Sequence, residues 1–142
     1  MGDWGRAEEY AADIITDLNH FVAGWTDWNI CLDQKGGPNH ALNFVDSPII
    51  VNANADEFYK QPMFYALGHF SKFIKKDAIR IDTNITGTRD IIATAAVHQG
   101  KRTLVMLNQH DSEHRTVITD LESGRQIQMT VAPRSIVTVL WN

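Results

Sequence analysis

The stretch Gly24-Trp25-Thr26-Asp27-Trp28-Asn29 decides how the rest of the chain is interpreted. Apolar residues lead into it from Phe21 and polar side chains follow, so the pattern predicts a buried strand over residues 21–31 with a polar, aromatic end. Two tryptophans beside a carboxylate and an amide are typical of a sugar platform, because an indole face packs on C–H groups while polar groups bind hydroxyls. A core strand whose tryptophan N–H finds a local acceptor is the other interpretation, and composition alone favours it.

Length and composition limit the number of domains and the kinds of partner that this chain can have. The chain has 142 residues, enough for one domain or parts of two, and 44% of them are hydrophobic, as in ordinary folded proteins. The net charge of −4 provides no basic footprint, so no nucleic-acid partner is expected. The single cysteine, Cys31, allows no intrachain disulfide, and its apolar neighbours favour a small buried residue over a nucleophile. No apolar run is long enough for a transmembrane segment.

An amphipathic helix is predicted over residues 4–20, because apolar side chains recur at helical spacing and Asp3 is a suitable N-cap. A long irregular stretch, 33–61, follows the predicted strand and is broken by Gly36-Gly37-Pro38. Loops of this length are usually functional, and this one begins where the strand's polar end stops, so it is positioned to cover that end. Its candidate contacts are Asn39, His40, Asn43, Phe44 and Asp46.

Within that stretch, Ile49-Ile50-Val51 is apolar enough for a short strand. A second helix is predicted over 62–74, with Pro62 at its first position and a wide apolar stripe. The order helix, strand, long loop, helix is typical of an α/β barrel or a layered sheet. No histidine pair has metal-ligand spacing, so we expect no metal and no cofactor.

The character of the chain changes after Lys76, where turn signals alternate with short apolar runs. The continuous apolar run from Thr103 to Leu107 predicts a central strand, and the alternation of Ile127, Met129 and Val131 predicts a strand with one covered face. This half of the chain is therefore predicted to be an antiparallel β-sandwich. The predicted strands are 78–85, 91–98, 102–108, 115–121, 126–131 and 135–141. The expected division is therefore an α/β piece, residues 1–76, and an all-β domain, residues 77–142.

Several sequence blocks in this order are similar to one known family. They are Gly24-Trp25-Thr26-Asp27-Trp28-Asn29, Gly36-Gly37-Pro38-Asn39, Asn43-Phe44-Val45-Asp46-Ser47-Pro48-Ile49-Ile50, Phe58-Tyr59-Lys60-Gln61-Pro62-Met63-Phe64-Tyr65 and Leu67-Gly68-His69-Phe70-Ser71-Lys72-Phe73-Ile74. Together they closely resemble the C-terminal part of glucosylceramidases of glycoside hydrolase family 30. The resemblance is strong over residues 4–75 and weaker, though consistent in strand pattern, over 76–142.

The resemblance implies a fold of two parts. Residues 1–76 would be the last helix–strand–helix of a (β/α)8 TIM barrel, and residues 77–142 most of an appended antiparallel β-sandwich. Barrel enzymes place their sites at the C-terminal ends of the strands, where Asp27, Trp28 and Asn29 are expected. The remainder of the barrel would come from upstream sequence.

The resemblance also implies a division of the active site. A retaining glycosidase needs two carboxyl groups about 5–5.5 Å apart. In this family both are glutamates on the fourth and seventh barrel strands, and no motif here matches either, so no catalytic residue is assigned. Trp28, Asn43 and Phe44 match residues lining the sugar pocket and are the expected substrate-binding residues. Asp27 and Asn29 are expected to support them, although a satisfied buried carboxylate explains Asp27 equally well.

The function implied by the resemblance is therefore that of a C-terminal part of a retaining β-glucosidase, acting on glucosylceramide or a related β-glucoside. A glycosphingolipid would place that substrate at a membrane surface. The N-terminus has no secretory signal pattern, and a secreted or lysosome-like location would require a signal peptide upstream. The alternatives are a non-catalytic carbohydrate-binding module and a purely structural β-sandwich. The scarcity of aromatic residues after position 77, where Trp141 stands alone, argues against carbohydrate binding by the sandwich itself.

Overall fold

The first helix forms as its sequence pattern predicts. The computed structural model describes all 142 residues, Met1–Asn142. Helix α1 runs Trp4–Asn19, and the Asp3 carboxylate caps it by accepting a 2.9 Å hydrogen bond from the Gly5 amide. Its buried apolar face consists of Ala7, Ala11, Ile14 and Ile15. Neither α1 nor the second helix has the combination of length and apolar character that a membrane crossing requires.

The strand predicted over 21–31 is absent, which corrects that prediction. Regular pairing begins only at Cys31, and residues 23–29 form no backbone–backbone hydrogen bond. The physical reason is that a strand exists only where a neighbouring strand supplies ladder partners, and no strand of this chain pairs with residues 23–29. Cys31 is also exposed rather than buried, because the alternation along β1 gives the buried position to Leu32.

A small mixed sheet replaces part of the predicted irregular stretch. Strand β1 (Cys31–Asp33) pairs parallel to β2 (Ile49–Asn52), which pairs antiparallel to β3 (Glu57–Lys60). The short strand expected around Ile49-Ile50-Val51 is therefore present, whereas β3 was not predicted. Helix α2 then runs Pro62–Ser71, with Pro62 in its first turn, and ends three residues earlier than the apolar stripe indicated.

The second half of the chain is an antiparallel sandwich, as the turn spacing predicted. One sheet has the order β4-β5-β6-β9 and the other pairs β7 with β8. Their bounds are β4 Ile79–Ile81, β5 Ile91–His98, β6 Lys101–Asn108, β7 His114–Thr119, β8 Gln126–Val131 and β9 Ser135–Trp141. A buried apolar cluster lies between the two sheets, with Val131 of β8 among residues of β5 and β6 such as Ala93 and Met106.

A second buried cluster joins the two halves of the chain. It contains Ala11 and Ile15 of α1, Phe70 of α2, and Val105 and Leu107 of β6. Both helices therefore pack on the outer face of the four-stranded sheet. The sandwich sheet is covered on both faces, which explains the continuous apolar run of β6.

Polar side chains also bridge this contact. The Asn19 amide donates to the Ala93 carbonyl at 2.9 Å, and the Thr103 hydroxyl donates to the Phe73 carbonyl at 3.1 Å. In addition, Glu8 Oε2 lies 2.7 Å from Arg134 Nη2. Residues of 1–76 and 77–142 thus share both a core and polar contacts.

Candidate functional site

Residues 25–30 alternate in exposure one by one. Trp25, Asp27 and Asn29 are half-buried, whereas Thr26, Trp28 and Ile30 are exposed. This is the period-two pattern of an extended chain with one covered face, and it holds although no strand pairs here. The covered side faces α1. The Trp28 side chain therefore points away from the helix, and the residue is 69% exposed.

Asp27 accepts hydrogen bonds from two donors. The Tyr10 hydroxyl of α1 lies 3.1 Å from Asp27 Oδ1 and 3.2 Å from Oδ2, and donates to this carboxylate. Asp27 Oδ1 also accepts from the Trp28 backbone amide at 2.8 Å. Burial, and then the Asp27 charge, raise the pKa of Tyr10 to about 12, so the hydroxyl keeps its proton at any working pH.

Trp25 is the second anchor of this segment on α1. Its indole N–H donates to the Asp13 carboxylate at 2.7 Å, and its ring lies 5.3 Å from that of Tyr10 at an interplanar angle of 57°. The local acceptor that a core interpretation of the tryptophan requires is therefore present for Trp25. Trp28 has no such partner, and the two tryptophans differ in their surroundings as their opposite faces predict.

The loop after β1 is built around Asp33. Its carboxylate accepts from the amides of Lys35 at 2.7 Å and Gly37 at 2.9 Å, and these bonds lower the pKa of Asp33. Gly36, with φ +82°, lies against the backbone of the next loop, where a Cβ would be 2.7 Å from the Val45 carbonyl oxygen. This close approach fixes the position of the loop that carries Asn43 and Phe44.

A cleft of about 590 Å³ lies between these two loops and α1. Of the three expected substrate-binding residues, only Phe44 lines it; Asn43 is exposed, and neither Asn43 nor Trp28 is part of its wall. Phe44 is itself 62% exposed. The structure therefore places Trp28 and Phe44 at the surface but does not join them in one cavity.

A polar network that the sequence did not reveal holds the second loop. Asp46 forms an ion pair with Arg6 of α1 and a hydrogen bond with the buried Gln61 amide. Gln61 also donates to the Ser47 carbonyl at 2.8 Å. Arg6 and Gln61 lie far from the loop in sequence, and only Asp46 was a candidate. In the sequence, these two residues appear only as a cation in the first turn of a helix and a glutamine before Pro62. Both features are too common to indicate a site.

Metal-ligating side chains are not clustered. No group of three or more His, Cys, Asp or Glu residues is placed to hold a metal ion. The expectation that no cofactor or metal takes part stays a prediction. The chemistry available on this surface is binding, through an exposed indole, a phenyl ring and amide groups.

Comparison with known families identifies the class of fold on which this surface lies. Residues 1–74 match the glycosyl hydrolase family 30 TIM-barrel domain, and residues 77–139 match the glycosyl hydrolase family 30 beta sandwich domain. The chain belongs to glycosyl hydrolase family 30. The resemblance inferred from the sequence blocks and the expected fold class, a C-terminal TIM-barrel part plus a β-sandwich, are both confirmed.

Curated relatives cover nearly the whole chain. It is 58% identical over 142 residues to "Putative glucosylceramidase 3" of Caenorhabditis elegans, covering 99% of this chain and 27% of that protein. It is 45% identical over 143 residues to lysosomal acid glucosylceramidase of Mus musculus, again covering 99% of this chain and 27% of the relative. The chain therefore spans 27% of the length of each of these proteins.

Solved structures share the fold. SrfJ from Salmonella typhimurium superposes with a TM-score of 0.91 at 27% identity, over 97% of this chain and 31% of that one. An endo-β1,6-glucanase superposes with a TM-score of 0.86 at 22% identity, over 96% of this chain and 31% of its own. Both matches continue across the contact between the helices and the sandwich.

Proposed function

We propose that this chain is the C-terminal part of a retaining β-glucosidase that hydrolyses glucosylceramide or a related β-glucoside. Trp28, Asn43 and Phe44 form part of the wall around the sugar, and Asp27 and Asn29 support them. The two catalytic glutamates and the remaining barrel strands come from upstream sequence. The family and the names of the two relatives support this activity and this substrate class.

The observation that carries the proposal is the direction of the Trp28 side chain. Trp25 and Asp27 are hydrogen-bonded to α1, so the alternation directs the intervening Trp28 ring away from the helix and leaves its apolar face available to a ligand. Sugars offer a matching C–H face, and neighbouring amides and carboxylates bind the hydroxyls. In a barrel the face turned away from the helix layer is the interior, where the substrate lies at the strand ends.

The surroundings of the glutamates support the assignment of catalysis to other residues. Glu8 is buried against Arg134, and Glu122 forms an ion pair with Arg102. Glu57 accepts a 2.5 Å hydrogen bond from the Tyr59 hydroxyl. These three carboxylates are engaged elsewhere in the fold, whereas a retaining mechanism needs a pair facing each other across the sugar.

A carbohydrate-binding role for the sandwich alone has less support. The only aromatic side chain of that half, Trp141, is partly buried among the core residues and its indole N–H donates to Asp120 at 3.1 Å. A ring fixed edge-on to a carboxylate in this way does not offer a free platform for stacking.

The test is a fluorogenic β-glucoside assay of the protein translated from the complete reading frame. Trp28→Ala should lower kcat/KM by about 100-fold, because loss of the wall lets the sugar shift by about 1 Å. The melting temperature should change less than for Trp25→Ala, because Trp28 makes none of the contacts with α1 that hold Trp25. Trp25→Ala should instead lower the melting temperature first, because it removes the contacts with Tyr10 and Asp13.

Leu121→Ala, at a sandwich residue that is 91% exposed, is the matched control and should leave both measurements unchanged. The 142-residue chain alone should show no turnover. A kcat/KM for Trp28→Ala within about threefold of the parent, under ~1 kcal/mol in transition-state binding, would contradict the proposed role. Turnover by the isolated chain that a glutamate substitution abolishes would contradict the assignment of catalysis upstream.

A further inference from the structure

We propose that Tyr10 is a positioning residue for the sugar wall, acting on Trp28 through the Asp27 carboxylate. This inference rests on the proposed function of Trp28 and adds the element that sets its orientation. The carrying observation is a continuous path of hydrogen bonds: the Tyr10 hydroxyl to Asp27 at 3.1 Å, and the Trp28 amide to the same Asp27 oxygen at 2.8 Å.

The path begins on a rigid element. Tyr10 lies on α1, whose neighbouring residues Ala7, Ala11 and Ile14 belong to the core cluster shared with the sandwich. Tyr10 itself packs on that cluster, and its ring contacts Trp25. A hydroxyl on a packed ring, carried by a helix whose apolar face lies in the core, is a fixed donor, and such support keeps a binding side chain in place.

The path ends on a segment with few other restraints of its own. Residues 23–29 form no backbone–backbone hydrogen bond in this chain. The Trp28 amide, the one backbone donor engaged at this point, depends on an Asp27 carboxylate that Tyr10 orients. When barrel strands lie alongside, their ladder adds restraints on the backbone, but the Asp27 side chain still faces the helix. Tyr10 therefore continues to select its rotamer.

The Tyr10 hydroxyl contacts both Asp27 oxygens, so it restrains the rotation of the carboxylate as well as its distance. Phenylalanine at this position keeps the ring and its packing and removes only the donor. Asp27 would then rotate, and the peptide that carries Trp28 would follow it. The expected consequence is a displaced indole on an intact fold.

The kinetic experiment uses the protein of the complete reading frame with a fluorogenic β-glucoside. Tyr10→Phe should lower kcat/KM about tenfold, with kcat affected more than KM, at a temperature well below the melting point. Asp27→Asn should lower kcat/KM as well. The decrease in kcat/KM for the double variant should be no larger than that of the more impaired single variant, because both substitutions act on Trp28 through the same hydrogen bonds. Tyr59→Phe, which removes the hydroxyl that donates to Glu57, is the matched control and should stay within twofold.

A second readout is independent of activity. In the protein of the complete reading frame labelled with ¹⁵N-tryptophan, Tyr10→Phe should shift the Trp28 backbone amide resonance and leave that of Trp141 in place. A Tyr10→Phe enzyme within twofold of the parent, while Trp28→Ala is strongly impaired, would overturn this inference and leave the proposed function standing. An unshifted Trp28 amide would also overturn it. If Trp28→Ala itself had no effect, both the proposed function and this inference would fall.

Discussion

At the scale of single residues, Asp120 has the most connected side chain of the sandwich. Its carboxylate accepts from the Trp141 indole at 3.1 Å and the Ser123 hydroxyl at 2.8 Å, and lies 3.2 Å from Arg102 Nε. The hydrogen bond from Trp141, followed by that from Ser123, lowers the pKa of Asp120 to about 2. The turn between β7 and β8 is thereby attached to β6 and the end of β9.

The depressed pKa of Asp120 predicts a specific dependence of stability on pH. The unfolded chain binds its proton at a higher pH than the folded one, so this stabilisation is complete above pH ~4 and is lost as pH falls towards 2. Asp120→Asn should lower the free energy of unfolding at pH 6 and flatten the decline between pH 4 and 2. Urea unfolding at several pH values measures both effects. Glu113→Gln, at an exposed residue, is the control; an unchanged acid slope in Asp120→Asn would contradict the prediction.

At the scale of elements, the loop after β1 depends on one glycine. Gly36 and Gly87 both have positive φ, +82° and +87°, but a Cβ at Gly36 meets the Val45 backbone at 2.7 Å while Gly87 faces open space. Alanine at either position costs about 1 kcal/mol in backbone strain. Gly36→Ala should cost about 1–3 kcal/mol more, because the second loop must move. If urea unfolding gave the same decrease in the free energy of unfolding for both variants, the close approach of Gly36 to the Val45 backbone would be shown to be unimportant.

Backbone amides should be protected from hydrogen exchange most strongly in the strands that pair on both sides. Strand β6 pairs with β5 on one side and β9 on the other, whereas residues 23–29 form no backbone–backbone hydrogen bond. Native-state hydrogen exchange should therefore be slower in 91–108 and 135–141 than in 21–31, because opening these strands requires sub-global unfolding. Faster exchange in β6 than in 21–31 would contradict this order.

The elements also separate what sequence can predict from what it cannot. Helix α1 and strands β5, β6 and β9 follow local patterns, and the sequence located each to within one or two residues. The prediction of a strand at 21–31 was wrong because a strand forms only where another strand pairs with it. The apolar content of a segment does not show whether such a partner is present. The candidate site was predictable in part. The alternation of side-chain direction that places Trp25 and Trp28 on opposite faces follows from the local sequence. The Tyr10–Asp27 contact joins residues 17 apart in the sequence, and no periodic pattern indicates it.

At the scale of the whole molecule, the two halves share a core, hydrogen bonds and an ion pair between a buried carboxylate and a half-exposed guanidinium. The Glu8 side chain is 4% exposed, that of Arg134 is 46% exposed, and their closest atoms are 2.7 Å apart. Burial raises the pKa of Glu8, and the Arg134 charge opposes that rise. Residues of 1–76 and 77–142, the two domains of the proposed division, are thus in contact through apolar and charged side chains.

Removing the cation should therefore destabilise the whole chain. Arg134→Met leaves Glu8 buried without its counter-charge and should cost about 1–3 kcal/mol at pH 7. Losing the cation raises the Glu8 pKa further, so the penalty applies while Glu8 is ionised and shrinks as acid supplies its proton. Urea unfolding at pH 7 and pH 4.5 measures the difference. Arg134→Lys should restore most of the loss, and an equal cost of Arg134→Met at both pH values would contradict this account.

The alternation along residues 25–30 has a consequence for the tolerance of the gene to mutation. Nearby codons in this stretch would be constrained for different reasons: Trp25 by its contacts with α1, and Trp28 by the proposed ligand contact. A variant at one codon would then reduce the amount of protein in the cell, and a variant at a neighbouring codon would leave the amount normal and reduce turnover. An agent that binds and stabilises the folded protein would therefore restore activity to the first kind of variant and not to the second.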